Sequence, residues 1–393
     1  MPTSSNTGTR NNRRELMLNA LTAVVAVVVC LLAAEVALRF LPIASSLRTL
    51  AVTPQSPVFR FTPNRDFVYS REWDFVLENR GRVNNAGFVN DQDYRKDDPL
   101  PLLAVVGDSM IEAAMVPYSG TLQGRLAKAL DGKTRVYSFA AAGAPLSQYL
   151  IWARYAVQEY GAKALLINVV GNDFDESHAA YAAYPGFWHY VPDADQQLRL
   201  RLFEYRPSLL GQIVVSSALG RYLLFNLQAG VAWTSLKHFL FGGPAMAQSR
   251  YAGNTAADAG AERVSRSLAA LDAFFRDLPS YAGLPPSRIL FIVDGLRYPD
   301  VAAASAGSFF DRMRKALLEK AASLGYDAID LDPFFFEHHR RTGQRVEFDR
   351  DAHWSSIGHG VAFNAVMASP FLARFQAELR AAAEKARPKS PRG

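Results

Sequence analysis

Apolar and polar positions divide this chain into three regimes. From Leu16 to Leu41 the residues are apolar almost without break, Glu35 and Arg39 being the only charges before Pro42. About 20 such residues suffice to cross the hydrocarbon core of a bilayer, so this stretch is predicted as a membrane-spanning helix. Residues 43–100 carry short apolar and aromatic runs, Val58-Phe59-Arg60-Phe61 and Asp66-Phe67-Val68-Tyr69, broken by Pro63, Asn64 and the turn signal Asn84-Asn85-Ala86-Gly87. That spacing predicts a small β-rich lead-in.

Beyond residue 101 strand-like and helix-like segments alternate. Leu102–Val106, Val136–Phe139, Ala164–Val170, Ile289–Val293 and Ala328–Leu331 are short, nearly continuous apolar runs, as expected of strands covered on both faces. An amphipathic helix is predicted between Pro145 and Gly161, and another around Arg312–Leu324 that stops at Gly325. Such alternation is the mark of an α/β fold, here a three-layer α/β/α sandwich on a five-stranded parallel sheet over residues 101–380. An insertion at about 173–260 departs from the pattern, with Tyr181, Tyr184, Phe187, Trp188, His189, Tyr190, Tyr222, Phe225 and Trp233. Leaving the carboxyl end of a strand, it is placed to overhang the catalytic edge as a cap; these aromatics equally suit a small core of its own. The polar, basic residues 381–393 are expected to be disordered.

Composition changes this picture in two ways. With 393 residues, 49% hydrophobic and 20% charged, the chain can build a large core, and wholesale disorder is excluded. The single cysteine, Cys30, lies within the apolar helix, so neither an intramolecular disulfide nor a cysteine-based metal site is available. Arg10, Arg13 and Arg14 ahead of the helix favour a cytoplasmic N-terminus (residues 1–15), with everything after Pro42 outside the cytoplasm. A cleaved signal peptide ending near Ala44-Ser45-Ser46 is the competing reading. The net charge of +6 owes much to the terminal arginines and lysines and resembles no nucleic-acid face.

Candidate chemistry sits at the carboxyl ends of three predicted strands and in a segment near the end of the chain. Gly107-Asp108-Ser109 follows the first strand, Ala141-Ala142-Gly143-Ala144 the second, Gly171-Asn172-Asp173 the third, and Asp351-Ala352-His353-Trp354 comes last. A serine hydroxyl is a weak nucleophile until a base takes its proton, an imidazole is suited to that exchange, and a carboxylate fixes its tautomer. Backbone amides of Ser109 and Gly143 and the side-chain amide of Asn172 are candidate donors to an oxyanion. Asp351 is the preferred carboxylate and Asp349 the fallback. Asp108, Asp173, Asp294 and Arg297 fall on the same edge as possible substrate contacts. Adjacent His338 and His339 point different ways and make no metal site.

These four blocks, in this order, resemble those of the SGNH hydrolase superfamily, the GDSL-like lipases and acylhydrolases. Over residues 83–370 the resemblance implies a flavodoxin-like SGNH fold, Ser109 as nucleophile, His353 as base with Asp351, and an oxyanion hole of Ser109, Gly143 and Asn172. The compact Asp-X-His-Trp spacing resembles membrane-linked bacterial members. It implies no cofactor, and ester chemistry: a membrane-anchored, periplasmic serine esterase or O-acyltransferase acting on acyl groups, acetyl by expectation, of a glycan or lipid. The alternative is a non-catalytic envelope protein that keeps the fold as a glycan-binding or assembly module.

Overall fold

The computed structural model describes residues 8–228, 251–252, 255–256 and 260–386. The chain begins with α1 (Gly8–Leu38) and the strands β1 (Arg65–Arg71) and β2 (Leu77–Val83). Next come β3 (Leu102–Gly107), α2 (Ser109–Glu112), α3 (Leu122–Ala129), β4 (Arg135–Ala140), α4 (Leu146–Tyr160), β5 (Ala162–Val169) and α5 (Asp173–Glu176). The insertion contributes β6 (Trp188–Pro192), β7 (Leu198–Leu202), α6 (Leu209–Ser216), α7 (Ala218–Arg221), β8 (Tyr251–Ala252) and β9 (Thr255–Ala256). After it follow α8 (Ala261–Ala282), β10 (Ile289–Val293), α9 (Pro299–Ala304), α10 (Phe309–Ser323), β11 (Asp327–Asp330) and α11 (Asp332–Thr342). The chain closes with β12 (Glu347–Phe348), β13 (Asp351–Trp354), α12 (Ser356–Met367) and α13 (Pro370–Ala386).

Two compact units result. One holds the described residues up to Ser46, Val68–Glu78 and Ser208 to 228; the other holds Leu47–Phe67, Asn79–Pro207 and the described residues after 250. The second unit is built on the predicted parallel sheet, in the order β4-β3-β5-β10-β11. Counted along the chain this is 2-1-3-4-5, a doubly wound order whose switch point lies between β3 and β5, where ligand crevices form. Every residue of β3 is buried, because helices cover both faces. Leu103, Val105, Leu166 and Ile292 meet Leu122 and Leu126 of α3 and Ala362, Val366 and Phe371 of α12 and α13 in one core. On the opposite face Phe291 packs against Phe274 and Phe275 of α8, and α4 sends Trp152 against Phe59 and Phe88. Gly161 ends α4 at φ 68°, the left-handed conformation that needs a glycine.

The insertion does not stay together. Its first part joins the α/β unit, where Phe187 stacks on Phe59 at 4.5 Å and the buried Tyr190 donates its hydroxyl to Asp277 at 3.1 Å. These aromatics fill a core. Residues 208–228 belong instead to the unit containing α1, and Trp233 lies outside the described residues. The C-terminal tail also begins later than the composition implies: α13 continues to Ala386, since Ala, Glu and Lys are strong helix formers. Residues 387–393 lie outside the described residues.

In the unit with α1, Arg14–Leu38 is 25 residues long and contains an 18-residue window of mean hydropathy 2.7, long and apolar enough to cross a membrane. Near its C-terminal end Glu35 accepts from Leu219 N at 2.9 Å, Ala218 N at 3.1 Å and Ser217 Oγ at 2.8 Å, a carboxylate capping the N-terminus of α7. The buried Asn226 accepts from Ala44 N at 3.1 Å and donates to Ser70 Oγ at 2.9 Å, tying three stretches of this unit together.

Candidate active site

β3 ends at Gly107 with no room for a side chain: a Cβ there would lie 2.5 Å from Ile111 Cγ1. The chain can therefore turn sharply into α2. Asp108 caps that helix, its Oδ1 accepting from Met110 N at 2.9 Å, and Ser109 follows at the first helical position, partly exposed. Ser109 Oγ lies 2.8 Å from His353 Nε2, across 244 residues of sequence. His353 Nδ1 is hydrogen-bonded to Asp351 Oδ1, which also accepts from His353 N at 2.9 Å. With Nδ1–H donated to the carboxylate, Nε2 is left as the acceptor for the serine proton. Asp349, the other candidate, is exposed and lines a neighbouring cavity of about 450 Å³ with Tyr298, Arg345 and Arg350.

The serine hydroxyl has one proton and two acceptors in reach, because Asp108 Oδ2 is 3.1 Å away. Burial raises the pKa of the Asp108 carboxyl, with the charge of Asp294 adding to the shift.

The histidine is held by its neighbours rather than by a long sheet. β13 pairs antiparallel with β12 through an irregular register. The fully buried Trp354 donates Nε1–H to Asp294 Oδ1 at 2.9 Å. Arg297 bonds Asp294 through Nη2 at 2.6 Å and reaches the carbonyl of Ala352 through Nη1. Asp294 and Arg297, expected as substrate contacts, are thus buried and clamp the strand that carries His353. Asp108 is a helix cap. Asp173 is fully buried, accepting from Val170 N at 2.8 Å and from Tyr149 Oη at 2.8 Å, and burial with the nearby Asp108 charge pushes its pKa well up. All four residues expected as contacts are buried and hydrogen-bonded within the fold.

Gly143 stands at φ 75°, and nothing lies within 4 Å of where its Cβ would be. The glycine serves the backbone turn, and the space above it is open. Its loop is fixed by Glu112, which accepts from Ala142 N at 2.7 Å. Burial pushes the Glu112 carboxyl up to about 7. Asn172 follows β5 and donates Nδ2–H to Glu176 Oε2 at 2.9 Å, and burial likewise carries Glu176 to about 7. One amide proton of Asn172 remains for a ligand. Sequence reasoning passed over both glutamates: Glu112 lies one turn from Ser109 and Glu176 one turn from Asn172, the only signal either leaves. Among the described residues no group of three or more His, Cys, Asp or Glu is arranged to hold a metal.

No family model matches the chain, and no curated protein matches it. Solved structures similar to it include a lipase from a goat rumen metagenome, with 12% identity over 69% of this chain and 98% of that one and a TM-score of 0.35. A member of the lipolytic G-D-S-L family from Veillonella parvula shares 9% identity over 68% and 96%, with a TM-score of 0.34. An acetyl xylan esterase shares 11% over 68% and 98%, with a TM-score of 0.37.

Proposed function

We propose that this chain is a membrane-anchored serine esterase or O-acyltransferase of the SGNH type, acting outside the cytoplasm on ester-linked acyl groups of a glycan or lipid. The observation that carries this reading is the 2.8 Å approach of Ser109 Oγ to His353 Nε2, with Asp351 on the far side of the ring. A hydroxyl, an imidazole in a fixed tautomer and a buried carboxylate form a relay with one chemical use, the attack of an alkoxide-like oxygen on an acyl carbonyl.

In that reaction His353 takes the Ser109 proton as the Oγ–C bond forms, and the carbonyl oxygen gains the negative charge. The amides of Ser109 and Gly143 and the free Nδ2–H of Asn172 receive it. His353 then returns the proton to the departing alkoxide, leaving the acyl group on Ser109. Water completes hydrolysis and a sugar hydroxyl completes transfer, each activated by the same imidazole. The open space over Gly143 leaves room for an acyl group. The apolar length of α1 supports the anchor, and the arginines before it support an extracytoplasmic orientation.

The test is hydrolysis of a short-chain aryl ester by the full chain in detergent, together with labelling by a fluorophosphonate. Activity and label are both expected, and both should vanish in Ser109→Ala. Equal rates in the two proteins would overturn the nucleophile assignment, and a folded protein that takes no label would favour a binding module.

A further inference from the structure

Residues 207–220 carry no charge and are bracketed by Arg206 and Arg221. Their helix α6 hides little of its apolar surface: Leu209 is 80% exposed, Leu210 72% and Ile213 66%. In the same unit Phe40 is 84% and Trp73 69% exposed, and Leu223, Leu224 and Leu227 remain partly open. Soluble proteins seldom present so many large apolar side chains in one small body, and where they do the surface has a partner.

The attachment of these residues to α1 identifies that partner. Glu35 caps α7, and Asn226 ties the end of the same stretch to Ala44 and Ser70. Both ties fall where the apolar helix ends, between Glu35 and Ala44. If α1 spans a bilayer, as the proposed function holds, that level is its outer surface, and a charge-free helix fixed there lies among lipid headgroups. Tyr222 and Trp73, joined by a 3.4 Å hydrogen bond from Tyr222 Oη to the Trp73 carbonyl, are the amphipathic rings that favour this depth. Arg221 turns back into the unit, donating Nη1–H to the carbonyls of Val215 and Ser216 at 3.2 and 3.4 Å.

We infer that residues 208–228, with Phe40 and Trp73, form a second membrane contact: an interfacial collar that rests its apolar side chains in the headgroup–acyl boundary of a phospholipid bilayer. It rests on the reading of α1 as an anchor, deepens that reading from one spanning helix to a body with a fixed seat on the lipid, and separates this part of the insertion from any role as a substrate cap.

Spin labels on the full chain in phosphatidylcholine–phosphatidylglycerol vesicles test this. The native Cys30 reports α1; in a Cys30→Ser background Leu210→Cys and Ile213→Cys report the collar, and Leu324→Cys serves as the water reference. Collisions with dissolved oxygen are expected to exceed those with a water-soluble nickel chelate several-fold at 210 and 213, the reverse of 324. Nickel accessibility at 210 and 213 equal to that at 324 overturns the collar. Low accessibility to both reagents also overturns it, because protein rather than lipid then covers the leucines. The Cys30 label reads the anchor separately: oxygen-rich at 30 with nickel-rich at 210 and 213 leaves the anchor standing and removes the collar alone.

Discussion

His359 offers a quantitative check on how the catalytic segment is supported. Its ring is 1% exposed, lies 5.5 Å edge-on from Trp354, and accepts at Nδ1 from Leu122 N at 3.1 Å. Leu122 is the first residue of α3, so a protonated ring would lose an acceptor and place a cation at the positive end of that helix, beside Arg125. Burial above all, then the charges of Arg125 and His353, lowers His359 from 6.5 to about 3. The folded state therefore holds the ring neutral while the unfolded chain binds a proton below pH 6.5. Stability is fully present above 6.5 and is lost as pH falls toward 3, in total about 5 kcal/mol at 1.36 kcal/mol per unit. Between pH 7.5 and 4.5 the loss is roughly 3 kcal/mol by the same arithmetic.

The perturbation is His359→Asn, which keeps an acceptor near the Nδ1 position and cannot take up the proton. At pH 7.5 the variant should be less stable by about 1–2 kcal/mol, because the smaller side chain leaves space beside Trp354. Other groups titrate identically in both proteins, so the gap between them isolates His359. It should close and reverse sign as pH falls to 4.5. Urea unfolding of both full chains in detergent, followed by tryptophan fluorescence across that range, gives the gap directly. A gap constant across the range would refute the neutral, buried state of this histidine.

Three further outcomes follow from the site. Asp351→Asn leaves the fold intact but disturbs the His353 tautomer, and kcat on an aryl ester should fall about 10⁴-fold. Asn172→Ala removes one oxyanion donor and should lower kcat about 10²–10³-fold, read in the same assay with KM little changed. Glu112 has the opposite pH sign to His359. Its pKa of about 7 stands above the usual 4.5, so its contribution is present below pH 4.5 and lost as pH rises through 7. Glu112→Gln should then be more stable than the parent at pH 8 by up to about 3 kcal/mol, the gap vanishing near pH 4.5 in urea titrations.

What the sequence disclosed and what it hid divide along a physical line. Four of the five sheet strands were legible because doubly covered strands are apolar on both faces, β11 at the sheet edge having no buried residue, and all five start and stop within two or so residues of the expected runs. Ser109, Gly143 and Asn172 were expected at one edge because parallel strands deliver their carboxyl ends to the same side, and the strands before them, β3, β4 and β5, are parallel neighbours. Asp351 and Asp349 could not be separated by spacing alone, since the choice depends on a bulged two-stranded ladder. Residues 208–228 look like a continuation of the aromatic insertion, because an exposed apolar run and a buried one have the same composition.

The acidic residues were the least legible, and they explain how the site tolerates itself. Asp108, Glu112, Asp173 and Glu176 sit in the turns that present the serine and the oxyanion donors, each raised in pKa by burial. Ionised together, they would repel the negative charge that develops on the acyl oxygen. Pushed toward the neutral form by burial, they act as hydrogen-bonding struts for Met110, Ala142, Val170 and Asn172. An acidic composition around the proposed oxyanion site is a contradiction only while every carboxyl is assumed to titrate as a free one, and burial removes that assumption.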